Sequence, residues 1–109
     1  MVRVINNKDI SYSIGDTFSL PITDGGSGYL TEDMTAEFII AENEQAEYLI
    51  DNFYNVSESA GVYSFELTLS DSDKQKLPLK NNYIYKIIIR KNNIISTQKS
   101  GYFSVVWGA

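Results

Sequence analysis

Apolar side chains in this chain recur at every second position, and that spacing decides what the chain can fold into. Over Val62–Leu69 the order is Val-Tyr-Ser-Phe-Glu-Leu-Thr-Leu. Tyr63, Phe65, Leu67 and Leu69 point one way, and Ser64, Glu66 and Thr68 the other, because successive side chains of a pleated strand face opposite sides of the sheet. Such a segment has one dry face and one wet face. Several segments share the pattern, which predicts an all-β domain.

The remaining strands follow from the same rule and from the turns between them. Val2–Ile5 is a short apolar start, and 6–9 reads as a turn. Ile10, Tyr12 and Ile14 alternate with Ser11 and Ser13 as far as Gly15-Asp16. Phe18, Leu20 and Ile22 form a further strand, and Pro21 within it lacks a donor, which marks an edge or a bulge. Residues 23–28 are a flexible loop rich in glycine. Met34–Ile40 alternates with Ala36, Phe38 and Ile40 on the inner side. Tyr48–Ile50 and Phe53–Val56 read as two weaker strands around Asp51-Asn52, and Ser57–Gly61 as a small-residue turn. Ser70 and Asp73 fit a capping box for one helical turn near 70–77, anchored by Leu77 and stopped by Pro78. Tyr83–Arg90 carries Tyr83, Tyr85, Ile87 and Ile89 on one face. Ile84 and Ile88 lie on the other, so this strand is expected to be central and covered on both sides. Asn92-Asn93 makes a tight hairpin. Ile94–Gln98 pairs back, Lys99–Gly101 turns, and Tyr102–Trp107 ends the series with Phe103, Val105 and Trp107 together. About eight short strands with frequent turn signals predict an antiparallel two-sheet sandwich. The helical turn matches the corner at which an immunoglobulin-like chain changes sheets, with Tyr83 as its corner tyrosine.

At 109 residues the chain is expected to be one domain, 1–109. It contains neither His nor Cys, which removes most nucleophilic and transition-metal chemistry, and stability must come from packing. Its net charge of −5 disfavours nucleic acid and anionic membranes as partners. The Lys86, Arg90 and Lys91 group is read as solubilising a strand edge. There is no signal-peptide pattern and no apolar run approaching the roughly 20 residues of a membrane span, so synthesis in a cytoplasm is expected.

Candidate chemistry reduces to polar turns. No Ser-Lys pair stands in a helix-forming context. The carboxylate pairs Glu32/Asp33, Glu42/Glu44 and Asp71/Asp73 lie in turns, where solvent keeps them ordinary. Asp71-Ser-Asp73 lacks the glycine and terminal Glu of an EF-hand, and helix capping explains it more simply. Asp24-Gly-Gly-Ser-Gly28 lacks the Lys and helix of a phosphate loop. Asn55-Val-Ser57 matches a glycosylation pattern that carries no weight without secretion. No enzyme activity, cofactor or metal is expected.

Aromatic residues are the strongest functional signal. Tyr63, Phe65, Tyr83, Tyr85 and Phe103 are assigned to the core. Tyr12, Tyr29, Tyr54 and Tyr102 fall on faces or loops open to contact. Trp107 is either the core plug or a contact anchor. Exposed Tyr and Trp bury much area with little entropy loss, so these five form the candidate interaction surface. Stacking on sugars by Tyr29, Tyr54 or Trp107 is the alternative, a host-adhesion module.

The segment order also resembles a known family. The chain has Ile14-Gly-Asp-Thr-Phe18, then Ala36-Glu-Phe-Ile39, then Gly61-x-Tyr-x-Phe-x-Leu-x-Leu69. A Ser/Asp-led helical turn to Leu77 follows, then Tyr83-Ile-Tyr-Lys-Ile87, then Ser96-Thr97-x-x-x-Gly101-x-Phe103-x-Val105. Over nearly its whole length this resembles the immunoglobulin-like N-terminal domain of phage baseplate upper proteins, with related domains in phage tail, fibre and head proteins. The resemblance implies an immunoglobulin-like antiparallel β-sandwich of about seven to nine strands. It also implies a virion structural protein whose partners are capsid, tail or fibre subunits or further copies of itself. Baseplate upper proteins continue into stalks or receptor-binding modules, whereas this sequence stops at Ala109. A capsid decoration or a fibre or baseplate adaptor is therefore the expectation.

Overall fold

The computed structural model describes residues 2–5, 8–24, 30–31 and 33–107. The expected Asn6-Asn7 turn, the glycine-rich loop at 25–28, Tyr29 and Glu32 lie outside the described residues. Within them the chain order is β1 (Val2–Ile5), β2 (Asp9–Ser13), β3 (Ser19–Thr23), β4 (Met34–Ala41) and β5 (Tyr48–Asn55). Then come β6 (Ser57–Ser59), β7 (Val62–Thr68), helix α1 (Asp71–Gln75), β8 (Lys80–Lys91) and β9 (Ile94–Val106). One sheet has six strands in the order β1-β2-β9-β8-β4-β5, and the other has three, β3-β7-β6.

The alternation predicts the inner faces well. Phe65, Leu67 and Leu69 are buried, as are Ala36, Phe38 and Ile40 on β4 and Tyr83, Tyr85, Ile87 and Ile89 on β8. Rings from separate elements interlock at the centre. Phe18 meets Tyr12 edge-on at 5.7 Å and Phe103 at 5.7 Å, and Phe38 meets Tyr85 and Phe103, each at 6.3 Å. Offset and edge contacts at such spacings add to the area the rings remove from water. Pro21 lies on β3, an outer strand of the small sheet, where its missing donor is harmless.

The order of strands is that of a variable-type immunoglobulin sandwich, with β3, β7 and β6 facing β4, β8 and β9, and β5 added beside β4. The corner supports the same assignment. Ser70 and Asp73 form the capping box of α1, Leu77 is buried behind it, and the Tyr83 hydroxyl donates to the Pro78 carbonyl at 2.7 Å. The chain is an immunoglobulin-like β-sandwich.

Four local readings need correction. β2 and β9 run parallel over Ile10–Ser13 and Phe103–Val106, so the sandwich is not wholly antiparallel. No hairpin joins these strands, and β2 is free to lie along β9 in that direction. β5 is one strand, because Asp51 and Asn52 stay in register opposite Ile39 and Phe38, and the Asn52 amide donates to Asp73 Oδ2 at 3.0 Å. Ser57–Ser59 pairs as a strand, leaving Ala60 and Gly61, both at positive φ, to make the turn. β9 runs unbroken through Lys99–Gly101. Gly101 serves close approach there: a Cβ would sit 2.8 Å from the Tyr85 ring and 2.9 Å from the Lys8 carbonyl oxygen.

Candidate protein-interaction surface

Strand register places the outward-facing side chains of β5, β4, β8 and β9 in rows. One row runs Tyr48, Ala41, Ile84, Tyr102. The next runs Asp51, Ile39, Lys86, Ser100, and the third Phe53, Glu37, Ile88, Gln98. A last row holds Asn55, Thr35, Arg90 and Ile95. The solvent face of an antiparallel sheet normally reads polar. Here Ile39, Ala41, Ile84 and Ile88 occupy its middle, and Tyr48, Phe53, Tyr102 and Ile95 stand exposed around them, Phe53 at 66% and Ile95 at 53%. Ile39 and Ile88 are buried, yet no strand or helix among the described residues lies over them. β8 is central, between β9 and β4, and Ile88 is buried as expected of a strand covered on both sides, while Ile84 is half-buried and their face is the outside of the sandwich.

A charged cluster is set into this apolar field. Arg90 Nη1 donates to Glu37 Oε1 at 2.6 Å. Burial alone would raise the Glu37 carboxyl, but hydrogen bonding with Asp51 and the Arg90 guanidinium outweigh it and hold Glu37 below its usual range. Partial burial and the adjoining Glu37 carboxylate push Asp51 up to about 6. Asp51 lies at the rim of the face, where hydrogen bonding with Glu37 and its like charge add to that burial. Among the described residues no group of Asp and Glu is arranged to hold a metal ion, and no helix is long and apolar enough to cross a membrane.

The aromatic residues singled out in the sequence divide. Tyr102 stands on the outer face, 47% exposed. Trp107 is 76% exposed beyond the end of β9, beside a hollow lined by Leu79, Lys80 and Val106, so it is not the core plug and its ring is open to contact. Tyr12 is 1% exposed and belongs to the core, its hydroxyl donating to the Asp16 carbonyl at 2.8 Å. Its place between Ile10 and Ile14 on the apolar side of β2 already pointed inward. Tyr54 is also removed from the surface set. It packs against the core, its hydroxyl donating to the Thr68 carbonyl at 2.7 Å and accepting from the Thr68 amide at 3.3 Å. The phenol thus acts as a strand partner for the end of β7. Tyr29 is outside the described residues. The sequence reading missed Tyr48, Phe53 and Ile95, although the consecutive Ile39-Ile40 and Ile87-Ile88-Ile89 already announced apolar residues on both faces.

No protein-family model matches the chain, and no curated protein matches it. Among solved structures it is similar to the natural killer cell receptor NKp44, a triggering partner in natural cytotoxicity. There the identity is 13% over 90% of this chain and 96% of that one, with a TM-score of 0.48. A structure of VGSC beta subunits, studied for their multimeric cell-adhesive interactions, shares 18% identity over 97% and 98% of the two chains at a TM-score of 0.44. The ZIG-8 IG1 homodimer shares 12% identity over 93% of this chain and 78% of that one, at a TM-score of 0.34.

Proposed function

We propose that this chain is a non-enzymatic structural protein of a phage particle, docking by the outer face of its six-stranded sheet on a neighbouring virion subunit. The observation that carries the docking surface is the exposed set Tyr48, Phe53, Ile95 and Tyr102 on that face, standing around a buried apolar layer of Ile39, Ala41 and Ile88. Aromatic anchors around a desolvated centre are the usual anatomy of a protein interface. The phage setting is supported by the order of sequence motifs shared with baseplate upper domains. A glycan platform has less support, because Tyr54 is tied to β7 and, among the described residues, no second ring lines the hollow beside Trp107.

A photo-crosslinking residue at position 53, with position 66 on the small sheet as control, tests this reading in assembled particles. A crosslink to one virion protein from position 53 alone is the expected result. Particles lacking this protein that keep their composition and morphology would overturn it.

A further inference from the structure

The long strand β9 has a free edge as well as an outer face. β2 pairs with β9 only over Phe103–Val106, and the next amide, Tyr102 N–H, donates to Asp9 Oδ1 at 3.1 Å. From Ser100 back to Ile94 the strand pairs with β8 on one side, and no described residue supplies a backbone partner on the other. The other outer strands are less suited to accept a partner. β1 and β6 are short, and β3 carries Pro21. β5 is interrupted by a register shift opposite Ile40/Ala41 and bears Asp51. The open stretch of β9 reads Ile-Ile-Ser-Thr-Gln-Lys-Ser, without an acidic side chain, and Ile94 and Ile95 are both exposed. At its far end a pocket of about 140 Å³ is lined by Lys8, Lys86, Ser100 and Tyr102, with Glu44 the one carboxylate on its wall. Lys99 adds an exposed cation within the strand. On a molecule of net charge −5 this strip is locally positive.

We propose that the Ile94–Ser100 edge is a strand-addition site for an extended segment of another protein. The incoming strand sets apolar side chains against Ile94 and Ile95, and acidic side chains beside Lys8 and Lys86 on the outer face and beside Lys99 on the other. Backbone hydrogen bonds to the open edge supply affinity, and the alternate side chains supply selectivity. Two copies would each bring the same positive strip to the pairing, and that like charge opposes self-association. An acidic heterologous strand is the occupant the charges favour. This site is separate from the outer face, and the two are distinguishable by experiment.

The test uses the full chain, isotope-labelled, and short blocked peptides of alternating Val and Thr that end in either aspartates or lysines. The acidic peptide is expected to shift the backbone amide signals of Ile94–Ser100 and slow their hydrogen exchange. Lys86→Glu with Lys99→Glu should weaken it about ten-fold at low salt, while Phe53→Ser on the outer face leaves it unchanged. Lys99→Glu alone, at an exposed position, carries the charge test if the double variant unfolds. Equal binding by the lysine peptide, shifts that map to β5, or unperturbed Ile94–Ser100 amides at millimolar acidic peptide would each overturn the site.

Discussion

Gly101 occupies the point where Tyr85, β9 and the Lys8–Asp9 backbone meet, and Tyr85 donates its hydroxyl to the Lys8 carbonyl there. A methyl group at this position meets the packed Tyr85 ring, the Lys8 carbonyl oxygen and the Asp9 carboxylate that the Tyr102 amide holds. Gly101→Ala is therefore expected to cost about 1–3 kcal/mol by overpacking, read from urea unfolding. Glu37 and Asp51 give a second residue-level expectation. The raised Asp51 carboxyl contributes stability that is complete below its ordinary value of 3.8 and lost as the pH rises through about 6. Glu37, held low, works in the opposite sense and loses its contribution on acidification. Asp51→Asn removes the like charge, so melting at pH 8 should move up by a few degrees and melting at pH 4 should stay put. Residues of this kind test what sequence can reveal. The alternation placed Tyr85 and Phe103 correctly, since apolar period alone decides their side of the sheet. Tyr54 was misjudged because its phenol finds the Thr68 backbone through tertiary contact, which pattern does not encode, whereas Tyr12 was misjudged although its alternation with Ile10 and Ile14 placed it inward.

At the level of elements, local chemistry was readable wherever it is self-contained. The capping box of α1 and the Asn92-Asn93 hairpin depend on neighbours in sequence, and both are present. Asn92 and Asn93 hold φ of 52° and 66°, the left-handed pair that a two-residue hairpin requires. Replacing both by Val should cost about 1–2 kcal/mol for each residue forced into that region, seen as a lower urea midpoint. Strand lengths were harder to read. Asp51-Asn52 and Lys99–Gly101 have turn composition but sit inside β5 and β9, because pairing with β4 and β8 outweighs their local preference. The missed continuity of β9 also hid its open edge, since a strand divided at Lys99–Gly101 offers no extended template.

For the whole molecule, two-sheet architecture and the sheet-changing corner were legible, because an alternating chain with a capped helical turn has few ways to bury its apolar sides. The apolar outer face was only half legible: Ile84 and Ile88 were noticed, but register across four strands is needed to see them join Phe53 and Tyr102. The parallel β2–β9 pair was not legible, as nothing local sets the direction of strands so distant in sequence. That pair also shapes folding. The central ring cluster draws on β9 through Phe103, and β2 has its inner neighbour only there. A chain stopped at Asn93 is expected to show no cooperative melting and a disordered circular dichroism spectrum.

Synthesis on the ribosome proceeds in one direction, and the seam between β2 and β9 joins Ile10–Ser13 to Phe103–Val106, some ninety residues later. The nascent polypeptide must therefore carry that side of β2 unclosed until β9 has been synthesised. A chaperone that shields Ile10 and Tyr12 during that interval would raise the yield of native protein more than one acting after release.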